Sequence, residues 1–497
     1  MNEEILAGLM QAIQLSSLMA TGIGALLGLV VGMIPGLTIS AGIIIVLPLT
    51  FVLSPAISIA LLLGLYAGGM MGGSFSAILL NIPGTPSASA TALDGYPLTV
   101  KGEAGRALGV SILASFVGGI FSFFCLYFIA PSLANLALEF RTQDLFSLVF
   151  FGLTVICSFA AKSLIKGLLS GVIGLIIVTV GQDPVMGTAR FTFGDANMLS
   201  GIHFLTAMIG LFAIPQMMES LLEIRQVSNK PLPGAGFGRI FPKFSDLKAM
   251  RFPAAIGAFV GTFIGILPGA GGPIAAFISY DYAKKISSKP NEFGEGSVEG
   301  IAAPEAANNA VTGGALIPMM TLGIPGDPVT AILIGALLVH GLAPGPMLFL
   351  EQADFAYTII FSFFIANVFN LLIAMAGLKF LVKVLSAPKS ILLPTIALLC
   401  VIGSYALRNS FFDIYVMFFF GLIGIAMRWL KMPVVPLLLA LVLGRQLEEH
   451  LRVSLTSSKG DISVFFTSPF SVLFLCLSLV SILWPFVIER RKKLATK

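Results

Sequence analysis

The sequence predicts an all-α integral membrane protein of roughly 12–14 membrane elements, built as two repeated halves whose helices break at Pro-Gly motifs. Three observations carry this prediction: a shortage of charge, long stretches with no ionisable side chain, and a pair of Pro-Gly motifs that occurs twice.

The 29 Lys and Arg and 24 Asp and Glu make up only 11% of the 497 residues. That is less than half the ~25% of an average soluble domain. Hydrophobic residues reach 57%, and the mean hydropathy is +0.98. So few charges cannot cover the surface of a soluble body of this size, so secreted, fibrous, disordered and nucleic-acid-binding classes are excluded. The net charge of +5 reads as loop charge that sets membrane topology rather than as a surface for an anionic partner. Cys125, Cys157, Cys400 and Cys476 lie singly in apolar stretches without a CxxC, which argues against a disulfide framework or a thiol-ligated metal. His203, His340 and His450 are far apart, and no GxxxxGK[ST] occurs, so no ATPase of its own is expected. Neither a cofactor nor a catalytic residue is expected. No basic region precedes the first apolar stretch, so a cleaved signal peptide is not expected either.

Ile5 to Leu93 contains no Asp, Glu, Lys or Arg, and a span needs roughly 20 apolar residues, so about three crossings fit there. Shorter charge-free windows follow to Ile462–Ile488; some suit half-helices. Arg225–Arg251 carries Arg225, Lys230, Arg239, Lys243, Lys248 and Arg251 against Asp246, among prolines and glycines. It reads as a cytoplasmic linker, residues 226–251, between a first repeat at 1–225 and a second repeat with C-terminal spans at 252–497. The tail, with Arg490, Arg491, Lys492 and Lys493, reads as cytoplasmic by the same rule.

The duplication is read from spacing. Gly24-x3-Gly28-x3-Gly32-x2-Pro35-Gly36 returns as Gly257-x3-Gly261-x3-Gly265-x2-Pro268-Gly269, each position offset by 233 residues. Asn81-Ile82-Pro83-Gly84-Thr85-Pro86 matches Gly323-Ile324-Pro325-Gly326-Asp327-Pro328, offset by 242. Gly-Gly pairs precede both, at Gly72-Gly73 and Gly313-Gly314. Glycine at every fourth position bares one helix face for close approach. Pro-Gly then ends the helix, because proline lacks an N–H and glycine permits the turn. Broken helices at matching places in two halves point to a transporter's binding site. Inverted topology, with the breaks meeting near the midplane, is the expected arrangement.

The side chains beside the breaks are short and hydrogen-bonding: Thr38, Ser74, Asn81 and Thr85 in the first half, Asn308 and Asn309 in the second. With Pro35, Gly36, Pro83, Gly84, Pro268, Gly269, Ala270, Gly271, Pro325 and Gly326 they form the candidate substrate- or ion-binding set. Helix N-termini there would hold an anion. Hydroxyl, amide and freed carbonyl oxygens would equally hold Na⁺ near Thr38, Asn81 or Asn308. Glu305 and Asp327 are the acids closest to the second-half motifs and are candidates for a proton or cation; helix capping is the plainer role for each. Asp94-Gly95-Tyr96-Pro97 reads as a solvated turn, and Tyr280-Asp281-Tyr282 as an interfacial belt.

Gly68–Leu98, followed by Lys101-Gly102-x-Ala104-Gly105-x-Ala107-Leu108-Gly109, resembles the large membrane subunit of the tripartite tricarboxylate transporters, the TctA family. So do Phe293-Gly294-x-Gly296, Pro304-Glu305-x-Ala307-Asn308-Asn309-Ala310 and Leu322-Gly323-Ile324-Pro325-Gly326. The resemblance runs from about residue 20 to about residue 450. It implies a bacterial inner-membrane importer that works with a periplasmic solute-binding protein and a small four-span membrane subunit. It also implies a carboxylate substrate such as citrate and uptake driven by a Na⁺ or H⁺ gradient. Asp327 departs from the family, whose members often have a small residue there. Two other classes fit the composition: a passive channel, and a membrane enzyme acting on lipid, which would need an acid or histidine cluster that the motifs do not supply.

Overall fold

The computed structural model describes residues 2–34, 37–159, 164–224, 239–269, 271–384 and 389–495. The first run of helices is α1 (Asn2–Ala12), α2 (Leu15–Met33), α3 (Ile39–Thr50), α4 (Pro55–Leu80), α5 (Ala88–Val100) and α6 (Ala104–Ala137). Next come α7 (Thr142–Phe159), α8 (Leu164–Val178), a hairpin of β1 (Gly181–Gln182) and β2 (Ala189–Arg190), and α9 (Phe204–Ile224). After the linker follow α10 (Phe244–Ile266), α11 (Gly271–Ile286), α12 (Val298–Leu322), α13 (Pro328–Val339), α14 (Pro346–Glu351), α15 (Ala353–Val384) and α16 (Lys389–Ala406). The chain closes with α17 (Phe411–Trp429), α18 (Val434–Ser457) and α19 (Pro469–Ala495). Among the described residues six helices are long and apolar enough to cross a bilayer, in α2, α4, α6, α10, α15 and α17, and shorter apolar helices such as α3, α8 and α13 accompany them. The protein is an all-α, multi-pass membrane protein. Half of the linker, residues 226–238, lies outside the described residues, as do Arg225, Pro35, Gly36 and Ala270.

Two compact units form, and each draws on both sides of the linker: Met1–Ala134 with Gln216–Gly403, and Asn135–Pro215 with Ser404–Lys497. The second unit packs α7 on α18 and α19, and α8 on α18. An ion-pair network braces its hairpin: Arg190 grips Glu448 with two bonds of 2.6 and 3.0 Å, and Arg452 bridges Glu448 and Asp183. The amide N–H groups of Met186 and Val185, with Arg452, hold the Asp183 carboxyl well below the usual carboxylate range.

The first unit is built around α4 and α12, which are buried along nearly their whole length. A helix apolar on every side, as α4 is, belongs inside. The glycine stripes explain how each acquires its partner. A Cβ on Gly24, Gly28 or Gly32 of α2 would stand 2.1–2.3 Å from the carbonyl oxygens of Leu61, Leu65 and Gly69 on α4. One on Gly257, Gly261 or Gly265 of α10 would stand 2.1–2.6 Å from those of Ala303, Ala307 and Val311 on α12. The two triples make the same contacts position for position, at offsets of 233 on the outer helix and 242 on the inner one. The opposite faces of the outer helices stay apolar and exposed, with Met19 and Ile23 on α2 and Phe259 and Phe263 on α10, as lipid-facing surfaces do. The glycine pairs are matched one residue differently from the sequence pairing. Gly72 closes on the Leu29 carbonyl and Gly314 on that of Thr262, so Gly72 corresponds to Gly314 and Gly73 to Ala315.

Between the halves the contacts are reciprocal. Helix α5 packs on α12, and its counterpart α13 packs on α4; α5 meets α11, and α13 meets α3. A pattern in which i touches j′ and j touches i′ is that of a two-fold.

Candidate functional site

Both inner helices end at matching residues, α4 at Leu80 and α12 at Leu322. The next residue is left-handed in each, Asn81 at φ 56° and Gly323 at φ 68°. Each chain then turns through its Pro-Gly. The Gly84 N–H donates to the Gly73 carbonyl at 3.1 Å, and Gly84 presses on the Gly32 carbonyl. Gly326 presses on the Gly265 carbonyl and on Ala315 in the same manner. In the second half the two Pro-Gly turns meet directly, with the Gly269 N–H donating to the Gly326 carbonyl at 2.9 Å. Pro83, Pro268 and Pro325 sit in these turns, and Gly271 opens α11 with φ 68°. Thr38 and Asn81 do not join a cluster. Both are exposed; Thr38 caps α3 by accepting the Ala41 N–H at 3.1 Å, and Asn81 ends α4.

Asp327 caps α13. Its Oδ1 accepts the N–H and the hydroxyl of Thr330, both at 2.8 Å, and the Thr330 hydroxyl accepts the Asp327 N–H at 2.9 Å. Its Oδ2 accepts the Tyr66 hydroxyl from α4 at 2.5 Å. Under the two-fold, Tyr66 corresponds to Asn308 and Asp327 to Thr85. There the bond is missing. The Asn308 amide donates to the Met70 carbonyl at 2.9 Å, which leaves its Oδ1 buried without a partner, and the buried Thr85 hydroxyl has none either. Both helices that start nearby, α5 after Ser87 and α11 at Gly271, lead into this spot: a Cβ on Gly272 would lie 2.3 Å from Ser87 Oγ and 3.3 Å from Asn308 Oδ1. Asn308 Oδ1 and the Thr85 hydroxyl are two of the buried polar atoms without a partner among the described residues, a kind of atom of which folded proteins keep few.

Glu305 lies about two turns into α12, fully buried. Thr91 of α5 donates to Oε1 at 2.6 Å and Ser115 of α6 to Oε2 at 2.9 Å. Asn309, one position past Asn308, donates to the same Ser115 hydroxyl at 2.8 Å and to the Glu305 carbonyl at 3.2 Å. Ser74 of α4 and Ser111 of α6 share a 2.8 Å hydroxyl contact and stand beside the carboxyl. The structure thus brings Ser74, Glu305 and Asn309 into one cluster with three hydroxyls that carry no warning in the sequence.

Asp94 corrects the expectation of a solvated turn. It lies inside α5 and is fully buried, and its Oδ1 accepts the amide N–H groups of Gly294, Gly296 and Ser297 at 2.7–2.9 Å. Its Oδ2 accepts the Tyr280 hydroxyl at 2.9 Å, so that tyrosine is bonded inward. Gly294 and Gly296, at φ 91° and 107°, adopt a backbone open to glycine, and this is why the Phe293-Gly294-x-Gly296 motif has its form. An open cavity of about 710 Å³ lies by this loop, lined by Lys101, Arg106, Asp246, Lys289 and Glu299, and it touches none of the Pro-Gly residues.

Known proteins bear on the whole arrangement. The family described as the tripartite tricarboxylate transporter TctA family matches residues 18–439. An uncharacterized 52.8 kDa protein of Agrobacterium vitis, from the TAR-I ttuC′ 3′ region, is 38% identical over 476 residues, covering 95% of this chain and 94% of its own length. A second uncharacterized Agrobacterium vitis protein, from the TAR-II ttuC′ 3′ region, is 39% identical over 233 residues, 47% of this chain and 96% of its own length. No solved structure matches. With the matched region reaching over both glycine stripes, both Pro-Gly turns and the Glu305 cluster, the chain belongs to the tripartite tricarboxylate transporter TctA family.

Proposed function

We propose that this chain is the large membrane subunit of an ion-gradient-driven importer in the bacterial inner membrane, and that its substrate is a small carboxylate of the citrate type. A periplasmic solute-binding protein delivers the substrate, and a small four-span membrane subunit completes the system. Family membership supports the transport role and the tripartite setting. The basic tail supports a cytoplasmic C-terminus, and the reciprocal contacts of the two halves support inverted repeats.

One observation carries the placing of the substrate: the unpartnered Asn308 Oδ1 and Thr85 hydroxyl at the breaks, where the related Tyr66 and Asp327 close on each other. The starts of α5 and α11 bring amide donors and a favourable dipole for a carboxylate. Thr85 and Ser87 donate to that carboxylate, and Asn308 Oδ1 accepts from a substrate hydroxyl or a bridging water. Transport then proceeds by alternating access around this spot.

The test is uptake of labelled citrate by cells that carry the chain with its cognate small subunit and binding protein. Asn308→Leu and Thr85→Val each lower uptake at least ten-fold while the amount and melting temperature of the purified chain stay unchanged. Accumulation disappears when an ionophore collapses the gradients. Normal uptake by both variants removes the substrate from this spot.

A further inference from the structure

Seven acids are buried among the described residues: Asp94, Asp144, Asp183, Asp246, Glu305, Asp327 and Asp413. Six of them receive at least one donor that cannot turn and accept. Asp94 receives three backbone amides, and Asp183 two amides and Arg452. Asp246 is gripped by Arg106 and Asp413 by Arg408. Asp144 receives one amide, the Arg141 N–H, and Asp327 one, the Thr330 N–H, beside the hydroxyls of Thr330 and Tyr66. An amide N–H or a guanidinium can only donate, so each such donor favours the carboxylate over the acid.

Glu305 is built differently. Its partners are the hydroxyls of Thr91 and Ser115, with those of Ser74 and Ser111 beside it, and among the described residues no cation reaches it. It lies two turns into α12, away from the N-terminal amides. The charged groups on the elements packed around it are turned elsewhere: Lys248 and Arg251 on α10 and Lys284 and Lys285 on α11 are exposed, and Lys285 pairs with Asp281. Tyr66 on α4 is bonded to Asp327; Asp94 on α5 is clasped by its loop and by Tyr280 of α11; Arg106 at the start of α6 pairs with Asp246 of α10 and Glu103. An isolated carboxylate in such a place costs so much that the group neutralises instead. Hydroxyls suit that outcome, because each can donate to the carboxylate or turn and accept from the acid.

We infer that Glu305 is the site at which this protein takes up and releases a proton, so that the ion driving uptake is H⁺ rather than Na⁺. This rests on the transporter reading above and names its coupling ion. The step is a proton transfer alone: a proton joins one carboxylate oxygen to give the neutral acid, and the same O–H bond breaks on the other side of the cycle. Ser74 and Ser111 extend the hydroxyls from the carboxyl toward α4, the helix that also supplies the Met70 carbonyl held by Asn308. Protonation therefore occurs within one helix turn of the proposed substrate position. Sodium is poorly served. Thr91 and Ser115 approach the carboxyl to hydrogen-bond distance with their protons in between, and Ser115 also accepts from Asn309.

Two measurements test this. The first is infrared difference spectroscopy on the purified full chain in lipid, and it does not depend on transport. A protonated-carboxyl C=O band is expected at neutral pH and is expected to vanish in Glu305→Gln. Where that variant does not fold, Glu305→Asp moves the same band in frequency, because the shorter acid loses its contact with Thr91. The second uses vesicles holding the complete system. In Glu305→Gln the accumulation of labelled citrate driven by a pH gradient falls at least ten-fold, and an imposed Na⁺ gradient drives nothing in the unaltered protein. Glu305 ionised at neutral pH, accumulation that follows Na⁺, or full pH-driven accumulation in Glu305→Gln would each overturn the inference. Failure of the unaltered system to exchange any carboxylate would instead count against the transporter reading, leaving the infrared result to decide the proton.

Discussion

The two halves of the core can be compared residue by residue, and they agree in scaffold while differing in chemistry. Gly28 and Gly261 meet the same backbone positions of their inner helices. Yet Glu305 and Thr91, bonded to each other, correspond to Leu63 and Leu333, which are both fully buried and apolar. At the breaks the polarity is reversed in sense: Tyr66 and Asp327 close a hydrogen bond, while Asn308 and Thr85 leave theirs open. Backbone contacts are shared because they decide whether the helices pack at all. Side chains that pack equally well as leucine or as a hydroxyl–carboxyl pair are free to diverge, and the Glu305 cluster is found among those.

This comparison can be attacked from its strongest point downward. Glu305→Leu makes the second half copy the first at that position; gradient-driven uptake is expected to vanish, while stability falls by only about 1–3 kcal/mol, because the Thr91 and Ser115 hydroxyls lose their acceptor. A large loss of folded protein would make Glu305 a structural residue. Asp94→Ala strips one acceptor from four donors and is expected to cost about 3 kcal/mol or more in stability, read by thermal unfolding of the purified chain; an unchanged midpoint would remove Asp94 as the anchor of the 294–297 loop. Gly28→Val and Gly261→Val should each destabilise by about 1–3 kcal/mol through overpacking against backbone that cannot yield. The two effects should be similar, and tolerance of one alone would break the reciprocity. Asp327→Asn is expected to lower stability by about 1–2 kcal/mol through its cap and the Tyr66 bond, with uptake retained. The smallest effect belongs to Thr38→Ala, roughly 1 kcal/mol for a helix cap and no change in citrate uptake; a drop in uptake would return Thr38 to the binding set.

Much of the frame is legible in the sequence because it rests on local rules. Glycine spacing marks the close helix pairs, and Pro-Gly marks where α4, α10 and α12 stop. Glu305 can be singled out as an acid in an apolar stretch. Asp94 is misread for an equally physical reason: Asp-Gly-Tyr-Pro has turn chemistry, and the loop amides that convert it to a buried helical anchor lie 200 residues further on at Gly294. Thr91, Ser111 and Ser115 look like ordinary serines and threonines of membrane helices until α5 and α6 are folded against α12. The open Asn308–Thr85 pair is visible only once Gly72 is matched to Gly314, a one-residue shift that the Gly-Gly pairing conceals.

The exchange of helices across the two-fold bears on how the protein is made. When the first half leaves the ribosome, α4 has α2 along its glycine stripe but lacks α13 and α15, and the Tyr66 hydroxyl has no Asp327 to meet. Nor can α5 seat Asp94 before the loop at 294–297 exists. Insertion into the membrane can proceed helix by helix, but the interior consolidates only after α13 and α15, the latter ending at Val384, have been synthesised, so a nascent chain stalled short of that point would be an early target for membrane proteases.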